Sequence, residues 1–359
     1  MNPNPLQPIP LYKENRFISA DCWLCVFELL TPSQLGFGIA MISHRFDYYV
    51  DEHFKTRKWA LKSMRIWRKI RKNRKKEMEI FNFDRNSLPI PQIELPRKII
   101  GFERINITFI DQNAIDFLHH FRQLFAKCPI HLNILPTSDR ISEFISRNIW
   151  PVFGKNLHAI QLSVGIFRLL RQFVPSILND LPLLRVVNFY FDKLFTGFPC
   201  DDSAAASDGQ AVAKWLFTPL QNNVPKVFKC GLDTDDGNWS SNMEAFKAAF
   251  ANASSPANFI VVIWIRLPFA DSVVPFVLTN KLTREQLALK RTDNSQCFLL
   301  IRCPIARDES KWAKWEKESI DWRIYDHWNI IDIYINDERQ MGNGCSAQFP
   351  AQMISCRSA

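Results

Sequence analysis

The sequence predicts an α/β protein: a helical N-terminal module, a strand–helix array through the middle, and C-terminal antiparallel strands with a Trp-rich helix. Three observations carry that prediction. Apolar residues recur at helical spacing on both sides of a Thr31-Pro32-Ser33 break. Ile107, Ile134, Leu162 and Phe189, the inward residues of four strand-like segments, follow one another at spacings of 27, 28 and 27. From Phe259 onward, strand-like runs follow with short connections and no helices between them.

Length and composition set the frame. The 359 residues leave room for two or three domains, and 47% apolar content supplies ample core. Eleven glycines are few, which argues against phosphate-cradling loops. Residues 1–17, MNPNPLQPIPLYKENRF, have no apolar core of a secretory signal and are expected to be a disordered Pro-rich leader. The longest apolar run, Phe259–Ile265, is far short of the roughly 18 residues of a membrane span. No membrane partner is expected, and the location should be cytoplasmic or nuclear. Nine cysteines, an odd number spread along the chain, do not form a disulfide framework. Cys22-x-x-Cys25 has no second pair at metal-ligand spacing and is expected to be two buried thiols on a helix. No metal and no cofactor are predicted.

The N-terminal module comes first. Ser19 is placed to cap a helix over Cys22–Leu30, with Trp23, Val26, Phe27 and Leu30 on one face. Pro32 ends it. Leu35, Ile39, Ile42 and Phe46 then step by three or four, so two short helices are expected to fold on each other within 18–59. On these residues alone, an ordinary helical hairpin packed on the main domain is the plainer alternative.

The same residues resemble an F-box. Ile18 stands for the opening Leu and Asp21 for the acid; Val26-Phe27 stands for the Ile-Phe pair, and Leu30 closes the helix. Leu35 matches the apolar residue after the Pro break, and Ile42-Ser43-His44-Arg45-Phe46 matches the family's Val-Ser-Lys-x-Trp/Phe stretch. Ser19 replaces the family's Pro, and Cys22 a usual Leu. The order of a front F-box, a basic stretch and a divergent α/β region is similar to the large, lineage-expanded F-box families of nematodes. The resemblance implies docking onto the Skp-type adaptor and cullin scaffold of a ubiquitin ligase. It implies contacts by Ile18, Asp21, Val26, Phe27, Leu30, Leu35, Ile42 and Phe46.

A basic stretch follows. Lys55, Arg57, Lys58, Lys62, Arg65, Arg68, Lys69, Arg71, Lys72, Arg74, Lys75 and Lys76 lie within 22 residues that contain no acid. Removing these twelve charges from the net +9 leaves the remainder at −3, so the basicity is local. Trp59, Met64, Ile66, Trp67 and Ile70 are interleaved, and a basic linker helix with an apolar stripe is expected over 60–86. Such a helix could be a solvated linker, a nuclear-import signal, or a contact for nucleic acid or an anionic membrane.

Ser87–Lys98 is Pro-rich and reads as a linker. Strands are then predicted at Ile105–Ile110, His131–Leu135, Leu157–Ser163 and Arg185–Tyr190, with helices at Ala114–Ala126, Asp139–Trp150 and Ile166–Leu178. One strand and one helix per 27–28 residues resembles a leucine-rich-repeat array over 99–198, although the Leu and Asn/Cys code is only partly met. A generic α/β sheet with regular crossovers is the alternative. An α+β domain over 210–335 would contain helices at Val212–Phe217 and Met243–Ala253 and a strand at Lys226–Cys230. An antiparallel meander of Phe259–Ile265, Val273–Leu278, Leu287–Arg291 and Cys297–Cys303 would follow. A helix within Arg307–Asp326 carries Trp312, Trp315 and Trp322, and a last strand runs Ile330–Ile335. Residues 336–359 are expected to be a disordered tail.

No nucleophile elbow, phosphate loop, dinucleotide fingerprint or His-Glu-x-x-His motif is present. The expected role is therefore that of a receptor and not an enzyme: adaptor at the front, an unidentified target protein on the α/β region. A nucleic-acid-binding protein built on the basic helix is the alternative. An enzyme with its site in the Thr196–Asp236 loops is a third.

Overall fold

A computed structural model describes residues 18–30, 35, 39–56, 59–61, 63–70, 76–82, 87–88, 99–135, 143–153, 156–189, 194–232, 239–265, 269–321, 323 and 327–335. The chain divides into two compact units, Met1–Trp59 and Ala60–Ala359. The expected leader 1–17 and tail 336–359 lie outside the described residues.

In the first unit, α1 spans Ala20–Phe27, and the Ser19 side chain accepts the Cys22 N–H as its N-cap. The second predicted helix does not run through Leu35–Phe46. A 3-10 turn at Ala40–Ile42 stops at Ser43, whose backbone is extended, and α2 (His44–Thr56) starts afresh. Ser43 is the cause. Its carbonyl accepts the Asp47 N–H and its hydroxyl the Phe46 N–H, so it caps a new helix in place of continuing the old one. Phe27, Leu35 and Val50 form the core, with Trp23, Leu30, Phe46 and Phe54 packed around it.

The second unit is built on one mixed sheet. Its strands are β1 (Trp59–Leu61), β2 (Met64–Ile70), β3 (Lys76–Asn82), β4 (Ser87–Leu88), β5 (Ile99–Phe102), β6 (Arg104–Ile107), β7 (Ile130–Ile134), β8 (Leu157–Gln161), β9 (Val186–Asn188), β10 (Lys226–Leu232), β11 (Phe259–Ile265), β12 (Phe276–Asn280), β13 (Glu285–Arg291), β14 (Cys297–Pro304) and β15 (Ile330–Ile333). Among the described residues the large sheet has the order β12-β13-β14-β11-β10-β9-β8-β7-β15-β6-β2-β3-β4, and β1 pairs with β5 in a separate two-stranded sheet. Its centre, from β11 to β2, is parallel, and both ends are antiparallel.

From β7 to β11 each new strand adds beside the last, always stepping the same way. Right-handed crossovers that never reverse direction put their helices on one face. These are α3 (Gln112–Phe125), a helical stretch over Ile145–Phe153, α4 (Val164–Phe173), α5 (Asp208–Phe217) and α6 (Trp239–Ala251). They share one continuous core with Ile107, Ile134, Leu162 and Phe189, so the predicted inward residues are inward. The helices begin where sequence provides caps. Asp111 and Ser163 accept N–H groups of α3 and α4, and Ser207 with Gln210 makes a full capping box on α5. The opposite face is covered in part by α7 (Glu309–Asp321), whose Trp312, Trp315 and Ile320 pack on Val227, Ile260, Leu299 and Ile301. The Trp cluster is therefore packing; Trp322 lies outside the described residues.

Three expectations are corrected. Residues 60–86 contain strands β2 and β3 and not a basic linker helix. The segment has β-branched and aromatic residues at Ile66, Trp67, Ile70, Ile80 and Phe81, and β2 finds two partners, β3 antiparallel and β6 parallel. Ile66 is buried and Arg65 exposed, the alternation of a strand. Second, the regions 99–198 and 210–335 are not separate domains. One sheet runs through both, and β15 returns to lie between β6 and β7. Third, the four meander strands do not pair in chain order. β12, β13 and β14 are consecutive hairpins, but β14 pairs back onto β11 and leaves β12 at the edge.

The meander is pinned by a buried ion pair. Arg302 (0% exposed) donates to Glu285 (1%) at 3.0 and 2.6 Å and to the Ser255 carbonyl at 2.8 Å. Its guanidinium lies 5.1 and 5.3 Å from the Phe217 and Phe250 rings. The other Glu285 oxygen accepts the Ala257 N–H. Removing one partner of such a pair strands the other charge, whereas removing both does not. Glu285→Ala is expected to cost about 3–5 kcal/mol, and Glu285→Leu with Arg302→Met markedly less than the single change. Urea unfolding of the three proteins measures this.

Candidate docking surfaces

The F-box-like residues separate into two sets. Phe27 and Leu35 are fully buried in the core of the first unit, and Leu30 and Phe46 are half-buried against it. The Trp23 and Phe46 rings meet edge-on at 4.8 Å. Ile18, Asp21, Val26 and Ile42 are exposed. The first four therefore build the unit, and only the second four face solvent in it.

Sequence reasoning placed Val26 with Trp23 and Phe27, but α1 is apolar on two sides. Trp23, Leu24 and Phe27 point into the core. Cys22, Cys25 and Val26, continued by Leu29 in the following turn, are exposed at the i, i+3, i+4, i+7 spacing of one stripe. Leu29 is 85% exposed, and Met41 in the 3-10 turn 79%. Cys22 and Cys25 are thus surface thiols on this stripe and not the buried pair that was expected. The helix spacing was legible in the sequence; which of two apolar stripes faced inward was not.

The basic residues are only partly visible. Lys55 is exposed at the end of α2 and ion-paired to Glu52 at 2.9 Å, and Arg65 is exposed on β2. Arg68, Lys69 and Lys76 belong to strands whose side chains are not described there. Arg57, Lys58, Lys62, Arg71, Lys72, Arg74 and Lys75 lie outside the described residues.

On the sheet face opposite the α3–α6 helices runs a polar row that sequence reasoning missed. Strand register sets Asn106, Asp332, Asn133, Gln161, Asn188 and Lys229 side by side across six strands. Asp332 accepts from Arg104 at 2.8 Å and from Asn133 at 3.0 Å, and Asn188 donates to Gln161 at 2.9 Å. Lys229 donates to the Ile320 carbonyl where α7 crosses the face. Burial lowers the Lys229 ammonium to about 8. Lys226, on the helix side, falls to about 7 for the same reason and donates to the Trp215 carbonyl. The signal was present: Ile105-Asn106-Ile107, Leu132-Asn133-Ile134, Ile160-Gln161-Leu162 and Val187-Asn188-Phe189 are apolar–amide–apolar triplets at the same 27- or 28-residue step.

One register level before this row, His131 and His327 meet edge-on with ring centroids 4.6 Å apart. The loops from Thr196 onward, considered as an enzyme site, are held over Ser203–Asp208 by one side chain. Buried Arg171 donates to Asp208 and to the carbonyls of Ser203 and Ala206. Among the described residues no group of three or more His, Cys, Asp or Glu is arranged to hold a metal ion. No helix of the described residues is long and apolar enough to cross a membrane. No protein family, no curated protein and no solved structure matches the chain.

Burial, then the neighbouring His327 and His158, lower the His131 imidazole to about 3. Its folded value lies below the ordinary value of about 6.5, so the unfolded chain takes up the proton first as pH falls. The stability it contributes is complete above pH 6.5 and is lost progressively toward pH 3. Between pH 7 and pH 5 the protein is expected to lose about 1–2 kcal/mol through this residue. Urea midpoints of wild type and His131→Gln at the two pH values test it: the variant's pH dependence should be the shallower.

Proposed function

We propose that the chain is a substrate-recognition receptor of a Skp-adaptor/cullin/RING ubiquitin ligase, with residues 18–59 as the adaptor-docking module. The observation that carries this reading is the second apolar stripe of α1. A unit this small buries Phe27, Leu35 and Val50 and still leaves Val26, Leu29, Met41 and Ile42 in water. Exposed apolar residues grouped on one short helix and turn are the mark of a surface that binds another protein. They lie within the segment that resembles an F-box.

The α/β body would hold the target protein. Its equal steps of 27 and 28 residues and its unreversed strand order support a leucine-rich-repeat-like array. The chain would perform no bond chemistry. It would raise the effective concentration of target lysines near a partner's ubiquitin-charged enzyme, and all group transfer would belong to the partners. This work belongs in the cytoplasm or nucleus.

The test is a pull-down with purified Skp-type adaptor at high salt, comparing wild type with Val26→Asp/Leu29→Asp. Both substituted residues are exposed. The variant should keep its far-ultraviolet circular dichroism and lose adaptor affinity by about tenfold or more, since two apolar contacts are replaced by charges. Phe27→Ala is expected to behave differently. It empties the core of the unit and costs about 3–5 kcal/mol, so binding is lost with structure. A folded wild type that does not bind, or an aspartate variant that binds unchanged, refutes the reading.

A further inference from the structure

Strand β12 closes one side of the sheet and pairs with β13 alone. An edge strand turns alternate N–H and C=O groups outward, and proteins usually blunt such an edge with charge, proline or a bulge. β12 has none of these. Phe276-Val277-Leu278-Thr279-Asn280 carries no charge and no proline, and its register with β13 is unbroken. Among the described residues none hydrogen-bonds to its outer side.

The side chains around this edge are apolar and wet. Val277 is 64% exposed, with Val274 and Leu282 at its two ends more so. Phe276 and Leu278 lean on the core but stay half open. The edge is also held in place. Asn280 donates to the Phe250 and Ala253 carbonyls at the end of α6 and accepts the N–H groups of Leu282 and Thr283. A strand fixed by its own end group loses little freedom when another strand adds to it.

Charge decides the occupant. Lys281 and Arg284, in the turn after β12, are exposed and make no ion pair among the described residues. At the other end, the Lys247 ammonium lies 4.5 Å over the Phe276 ring and is ion-paired to Glu244 at 2.8 Å. The nearby carboxylate of Glu285 is consumed by Arg302. The edge is therefore an apolar strand with two cations, Lys281 and Arg284, at one end. A second copy of β12, paired antiparallel about Leu278, would set uncharged Pro275 opposite Lys281, whereas an acidic residue there would meet both cations.

We propose that β12 takes up an extended peptide segment with a β-branched centre and an acidic end set beside Lys281 and Arg284, adding it to the sheet as a further strand. This surface is separate from the adaptor-docking module, and the peptide binds whether or not the adaptor does.

The probe is a fluorescein-labelled peptide, Glu-Glu-Val-Thr-Val-Thr-Val-Glu-Glu, titrated with the full chain and followed by anisotropy. Saturable binding is expected. N-methylation at one alternate set of residues should weaken it by about tenfold or more, because those amides face β12, while methylation of the other set leaves it unchanged. Val277→Glu, a change at an exposed side chain, should weaken binding by about tenfold with circular dichroism unaltered, and flanking lysines in place of glutamates should do the same. The proposal is overturned if the two methylated peptides bind alike, or if the folded protein gives no saturation. It is also overturned if sedimentation reveals a dimer that Val277→Glu dissociates.

Discussion

The sheet depends on the return of its last strand. β15 lies parallel to both β6 and β7 and supplies the hydrogen bonds that neither can make with the other. The His131 N–H donates to the Asn329 carbonyl, the Leu135 N–H to the Ile333 carbonyl, and the Tyr334 N–H to the Ile107 carbonyl. Without β15, buried backbone groups on two strands would lack partners, each at a cost comparable to a lost hydrogen bond. The approach is close: Asn329 sits at φ 60°, its side-chain oxygen accepts the Phe102 N–H, and a Cβ on Gly101 would lie 2.7 Å from that oxygen. Glycine at 101 leaves room for the Asn329 side-chain amide.

The polar row gives this insertion its register. A parallel strand carrying Ile331 and Ile333 could slide by two residues and still bury isoleucine. Asp332 removes that freedom, since only one register sets it between Arg104 and Asn133. Buried polar groups are costly when unpaired and selective when paired, so a satisfied row specifies one alignment among apolar alternatives. Gln161 with Asn188 plays the same part between β8 and β9.

Much of the unit was legible because its signals are local. Apolar spacing placed α3, α4 and most strands within about five residues, and the step of 27 and 28 revealed the succession β6 to β9. What failed was non-local. Nothing near Ile330 says that this strand belongs between two strands formed some two hundred residues earlier. The segment Met64–Ile70 shows charge at nearly every position that is not apolar, which suits an amphipathic helix; the partner strands β3 and β6 decide otherwise, and pairing overrides propensity. In α1, both stripes are apolar, so hydrophobicity cannot tell the packed one from the exposed one.

That ambiguity is itself informative. A helix that only needs to pack on its neighbour is served by one apolar stripe, and an edge strand that only closes a sheet is safer with a charge. α1 and β12 break these rules in the same sense: each keeps apolar surface where solvation alone would favour polar residues. Elsewhere the paired amides and the helix caps satisfy their polar groups, while the buried Arg302 Nη1 finds no hydrogen-bond partner. Departures of this kind, apolar surface kept in water, are where a function that acts through partners would be expected to sit.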